Sequence, residues 1–149
     1  MRKGWHKHWI DRCYINSEMS TCASGRKVGA VIVTKDNRSL SDGFNGVPSG
    51  YPHPSLCARI EAKVKSGESL DMCPCAHAES NAIDNAARHG IAIKDSFIYC
   101  TTKPCSFCMA RIANAGICKV FYIEEYSHNL TDQIAQNANI ELNCLKDFV

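Results

Sequence analysis

The chain has 149 residues, 45% hydrophobic and 21% charged, with a formal net charge of +2 and a pI near 8.0. That length suits one domain, 1–149, with a sizeable core. The dispersed Lys and Arg lack the basic stripe of a nucleic-acid binder, yet leave room for a small anionic substrate, since one or two placed cations suffice for a phosphate. No apolar run approaches the roughly 18 residues that cross a bilayer. The start, Met1 to His6, is basic without a following apolar stretch, unlike a signal peptide. The expectation is a cytoplasmic protein with no membrane partner, in which ten cysteines point to metal ligands more than to disulfides.

Residues near 5–20 place Trp5, Trp9 and Cys13, and Ile10 and Tyr14, at i, i+4 spacing, which predicts an amphipathic helix covering a core face. A polar loop from Ser20 to Lys27 leads into Val28–Val33, a buried strand, and Asp36-Asn37 turns the chain into a second strand over Ser39–Phe44. From Val47 to about residue 76 the signals are loop-like, with Pro48, Gly50, Pro52, Pro54 and Ser66-Gly67. A short helix over Ser55–Lys65 fits inside this insertion, and loops so long are usually functional or held by something else. His77 opens a helix whose apolar stripe is Ala78, Ala82, Ile83, Ala86 and Ala87, and Gly90 stops it. A strand over 97–101 follows. Pro104 suits a first helical position, with Cys105 through Ala115 continuing to Gly116. A strand at Val120–Ile123, a helix at Thr131–Asn137 and a strand at Ile140–Leu142 complete the chain. An early hairpin followed by βαβα alternation predicts an α/β fold, with helices on a mixed, partly parallel sheet of about five strands.

The chemistry is concentrated in His77-Ala78-Glu79 and Pro104-Cys105-Ser106-Phe107-Cys108, or H-A-E … P-C-x-x-C. His77, Cys105 and Cys108 supply one imidazole and two thiolates for a zinc ion and leave a fourth tetrahedral position open, as catalytic sites do. Cys105 and Cys108 share a helical face, and a helix N-terminus favours thiolate. Two residues apart on a helix is about 200° of rotation, so His77 and Glu79 cannot both lie in regular helix if they serve one ion. One of them belongs to the irregular entry. Glu79 is then free to move protons between an activated water and a substrate. The combined pattern is the signature of nucleobase zinc deaminases.

Over nearly its whole length the chain resembles the deoxycytidylate (dCMP) deaminases, of the compact kind met in phages and bacteria. The resemblance rests on residues 27–33 (K-V-G-A-V-I-V), 43–50 (G-F-N-G-V-P-S-G), 77–83 (H-A-E-S-N-A-I) and 99–108 (Y-C-T-T-K-P-C-S-F-C). It implies the cytidine-deaminase-like three-layer α/β/α sandwich and zinc-dependent hydrolysis of dCMP to dUMP and ammonia, feeding dTMP synthesis. It further implies that Asn45 bonds the deoxyribose and that Ala78 and Thr101 line the pyrimidine pocket. Arg26 is the first choice for the phosphate, because guanidinium matches phosphate oxygens bidentately. Arg111, Tyr122 and Tyr126 are further candidates. The family also implies a homo-oligomer, commonly a hexamer, activated by dCTP (with Mg2+) and inhibited by dTTP, with the loop Gly43, Phe44, Asn45, Gly46 coupling effector to pocket.

Some relatives keep a second, structural zinc in the insertion, and Cys57 and Cys73 match its ligand positions, with Cys75 beside them. Cys22 or His53 would supply a fourth ligand, and such a site would order a loop poor in apolar residues. Cys13, Cys100, Cys118 and Cys144 read as small buried hydrophobes. The rival readings are deamination of another cytosine or adenine substrate (nucleoside, free base or tRNA) and a non-catalytic zinc-binding module. The near-neutral charge disfavours tRNA, and Glu79 disfavours a purely structural site.

Overall fold

The computed structural model describes residues 4–126 and 129–149, and the basic start of the chain, Met1 to Lys3, lies outside them. The elements are α1 (Trp5–Ser17), β1 (Gly29–Val33), β2 (Ser39–Phe44), α2 (Ala58–Glu61), a 3-10 turn (Leu70–Met72), α3 (Ala78–Arg88), β3 (Phe97–Thr102), α4 (Ser106–Asn114), β4 (Lys119–Glu124), α5 (Asn129–Asn137) and β5 (Glu141–Cys144). One mixed sheet runs in the order β2-β1-β3-β4-β5. β1 is antiparallel to both β2 and β3, while β3, β4 and β5 are mutually parallel neighbours. The expected hairpin and βαβα alternation are both present.

Every residue of β1 is buried, because helices cover both sheet faces. Ala30 and Ile32 point into a core shared with Ala78, Ala82 and Ala86 of α3, Met109 and Ile112 of α4, and Ala135 of α5. Val31 and Val33 face the other way, against Trp9, Ile10 and Cys13 of α1, with Tyr99 and Phe121 beside them. This is the α/β/α sandwich. A strand buried on both faces reads as an unbroken apolar run, and each such Val or Ile contributes about 1.5–3 kcal/mol.

Several boundaries differ from the sequence expectation. The buried stripe of α1 is Trp9, Ile10, Cys13 and Ser17, whereas Trp5 and Tyr14 are exposed at 41% and 39%. Residues 18–20 leave the helix in turns, so it is shorter than expected. The helix expected over 55–65 is a single turn, broken by Lys63 in the left-handed region at φ 53. Pro104 is not a first helical residue. Cys105 is extended at φ −71, ψ 170 and caps α4, which begins at Ser106, so Pro104 lies one residue outside. Cys13 and Cys100 are buried as expected, but Cys118 is half-buried and Cys144 exposed on edge strand β5.

Candidate active site

α3 and α4 deliver their functional side chains from their N-termini. His77 is the N-cap of α3 in an extended conformation (φ −76, ψ 156), and Glu79 lies inside the first turn. That change of backbone state resolves the rotational conflict of the H-A-E spacing. α3 is fastened to β2 by Asn81 Nδ2 donating to the Phe44 carbonyl (2.8 Å) and Asn85 Nδ2 to that of Asp42 (2.9 Å). Gly43 allows the approach, since a Cβ there would collide with the Ala78 carbonyl and the Ala82 amide. On the other side, Thr131 Oγ1 donates to the Pro104 carbonyl at 3.0 Å, tying the entry of α4 to α5.

His77 Nδ1 lies 3.4 Å from both Cys105 Sγ and Cys108 Sγ. The three donor atoms are mutually within 4.8 Å. Zinc–nitrogen and zinc–sulfur bonds of ordinary length at a tetrahedral angle give an N···S edge of about 3.6 Å. The donor set therefore fits zinc in both chemistry and size. Charge points the same way. The hydrogen bond from Cys108, reinforced by the His77 imidazole, holds the Cys105 thiol below its ordinary range. That same hydrogen bond, together with burial, pushes Cys108 up. Alone, the pair accommodates one negative charge, and a dication lets both sulfurs be thiolates.

Glu79 is 4% exposed, and burial raises its carboxyl above the usual range. It borders a cavity of about 110 Å³ together with His77, Cys105, Ala78, Val28, Asn45, Thr102, Lys103, Arg26, Tyr126, Ser24, Arg59, Ser66, Gly67, Leu70 and the thiols Cys22, Cys73 and Cys75. Arg26 lies with its guanidinium carbon 5.1 Å from the Tyr126 ring centroid. Asn45 accepts from the Val28 amide and donates to the Arg26 carbonyl, each at 2.8 Å, so it braces the loop that carries Arg26 and keeps one N–H and one lone pair for a ligand.

Other expectations are corrected. Thr101 does not line the cavity: it is 1% exposed and its Oγ1 accepts from the Gly29 amide. Its neighbour Thr102 lines it instead. Strand side chains alternate, and Thr102 shares the face of Ile98 and Cys100, toward α3 and α4. Arg111 is on the outer side of α4 in an ion pair with Asp84 of α3. Tyr122 packs in the core and donates to Glu125 at 2.7 Å. Neither reaches the cavity. Within the 43–46 loop only Asn45 borders it. Gly43 and Phe44 hold α3, and Gly46 pairs with Ala76 through backbone hydrogen bonds of 3.1 and 2.8 Å.

A second group of donors is Cys22, Cys73 and Cys75, their sulfurs also mutually within 4.8 Å. Cys57 is not in this group. It is the buried N-cap of α2 and lines an adjoining cavity with Cys73 and Cys75. His53, the other suggested ligand, is exposed and absent from the group. Arg59, Ser24, Thr102 and Lys103 are among the cavity residues that sequence reasoning missed. Strand parity separates Thr102 from Thr101 but does not say which faces the cavity, and no periodicity in the insertion marks Arg59.

The family model for the cytidine and deoxycytidylate deaminase zinc-binding region matches residues 3–124. Deoxycytidylate deaminase of Enterobacteria phage T4 is 34% identical over 163 aligned positions, covering 87% of this chain and 83% of that protein. Deoxycytidylate deaminase of Schizosaccharomyces pombe is 32% identical across 95% of this chain, which spans only 44% of that protein's length. The chain likewise spans 39% of the Saccharomyces cerevisiae enzyme. The crystal structure of cyanophage S-TIM5 dCMP deaminase in complex with dCMP and dUMP superposes with a TM-score of 0.78 at 31% identity, covering 95% of this chain and 97% of that one. With the H-A-E and P-C-x-x-C segments meeting at one set of donors inside that fold, the chain belongs to the cytidine and deoxycytidylate deaminase family.

Proposed function

We propose that this chain is a single deaminase domain that hydrolyses dCMP to dUMP and ammonia, with zinc held by His77, Cys105 and Cys108. The observation that carries the reading is a buried carboxyl, Glu79, in the same cavity as two of those three donors. When bound, the zinc would supply Lewis-acid activation of water. Glu79 takes a proton from the attacking water, passes it to the ring nitrogen, and later assists protonation of the departing amine as the C4–N bond breaks. Burial, which raises its carboxyl above the usual range, suits a group that must both accept and return a proton. Thr102 and Ala78 wall the base, Asn45 offers its remaining amide valences to the sugar, and Arg26 with Tyr126 receives the phosphate.

A second zinc at Cys22, Cys73 and Cys75 would act structurally by ordering the insertion, and the closeness of the three sulfurs supports a metal there. Control by dCTP with Mg2+ and by dTTP is supported by the way the 43–46 loop holds both α3 and Ala76. A homo-oligomer, a hexamer as in the family, is consistent with Phe107 and Leu130 exposed at 68% and 51%. Ten unpaired cysteines suit a reducing cytoplasm, the host's if the protein is phage-encoded.

The test is ultraviolet-monitored deamination of dCMP beside deoxycytidine, by the zinc-loaded protein and by Glu79→Gln. The expectation is turnover of dCMP that falls by about 10²–10⁴-fold in the variant with its melting temperature retained. Equal turnover of both substrates would leave deamination standing and remove the nucleotide assignment. Undiminished activity of Glu79→Gln would remove the proton-transfer role.

A further inference from the structure

The insertion between β2 and α3 contributes more to the cavity than its thiols. Arg59, Ser66, Gly67 and Leu70 border the same space as His77 and Glu79. The insertion meets the opposite wall at Tyr126: Gly67 has φ +84, and a Cβ there would stand 3.0 Å from the tyrosine hydroxyl. That tyrosine ring also carries the Arg26 guanidinium. Two arginines, from segments 33 positions apart in the chain, thus border one cavity.

Their charge is not neutralised from within. Among the described residues neither Arg26 nor Arg59 forms an ion pair. The cavity's other long cation, Lys103, is paired with Glu125 at 3.5 Å and Asp132 at 3.0 Å. Arg59 is also held in place. Its Nε donates to the Glu68 carbonyl at 2.9 Å and one Nη to the Lys65 carbonyl at 3.1 Å. A guanidinium anchored through part of its fork loses less entropy when the remaining N–H groups engage a ligand. Two such cations without counter-ions favour an anion with several acceptor oxygens.

We propose that Arg59 is a specificity-determining residue that joins Arg26 in binding the substrate's 5′-phosphate, so that the insertion distinguishes a nucleotide from a nucleoside. The inference rests on the dCMP reading above, and it makes this loop part of substrate selection.

The experiment compares zinc-loaded wild type with Arg59→Gln and Arg59→Lys on dCMP and on deoxycytidine. In parallel, melting temperature is measured in inorganic phosphate against chloride at matched ionic strength. Arg59→Gln should raise KM for dCMP by about 10- to 100-fold, the usual worth of a charge-assisted contact. Its kcat/KM for deoxycytidine should be unchanged, and its phosphate-dependent rise in melting temperature should shrink. Arg59→Lys should recover part of the loss on dCMP. Equal losses on the two substrates would assign Arg59 to bracing the loop alone and overturn the proposal. So would unaltered dCMP kinetics or a phosphate response that survives Arg59→Gln. A wild type that phosphate stabilises but that deaminates no dCMP would instead overturn the substrate reading and leave the anion subsite supported.

Discussion

Tyr99 shows what a single buried group does to the pH response. It is 2% exposed in β3, hydrogen-bonded to His6 Nδ1 at 2.9 Å and stacked on Phe121. Burial, with a smaller contribution from nearby Cys13, pushes its phenol up to about 12. An unfolded tyrosine ionises near 10. Between these values the unfolded chain binds fewer protons than the folded one. Tyr99's contribution is therefore intact below about pH 10 and erodes as pH rises toward 12. Urea titrations of wild type and Tyr99→Phe across that range should show the wild type losing stability faster, and phenolate absorbance should show one late-titrating tyrosine absent from the variant. At this scale the His–Cys–Cys donors and Glu79 were legible because their chemistry depends on residue type and spacing. The cavity wall was missed by one position because Thr101 and Thr102 are chemically alike and only the sheet decides which faces inward. Arg59 was illegible because its placement depends on the path of an aperiodic loop.

At the level of elements, His77 and Glu79 are only as well placed as the contact between α3 and β2. Gly43 lets the helix backbone lie directly on the strand, and Asn81 and Asn85 fasten it there. Gly43→Ala forces the backbones apart and should cost about 1–3 kcal/mol, the range for overpacking a tight interface, read by urea unfolding. Because α3 carries His77 and Glu79, kcat should fall as well. Asn45→Ala has a different consequence. It strips partners from the Val28 amide and the Arg26 carbonyl, costing about 1–3 kcal/mol, and should raise KM for dCMP through the loosened Arg26 loop. The strands were legible because apolar runs and turns mark them. The ends of α2 and α4 were not: Lys63 breaks one turn at positive φ, and Cys105 keeps an extended backbone so that its sulfur can meet His77.

For the whole molecule, the sandwich followed from the order of strand and helix patterns, whereas the convergence of the two cysteine groups on one cavity did not, since it depends on the three-dimensional course of the insertion. If both groups bind metal, zinc analysis of the purified protein should give about two ions per chain. Cys73→Ser should then hold about one, with a lower melting temperature and a more protease-sensitive insertion. One ion in both proteins would assign the thiol trio no metal. Only Ala76 separates Cys75 from His77 along the backbone, and its peptide is clasped by Gly46 on both its N–H and its C=O. That clasp fixes Ala76 between the two donor groups. The thiol trio and the imidazole are thus joined by two peptide bonds clamped at their middle by the strap after β2, so the placing of one donor group constrains the placing of the other.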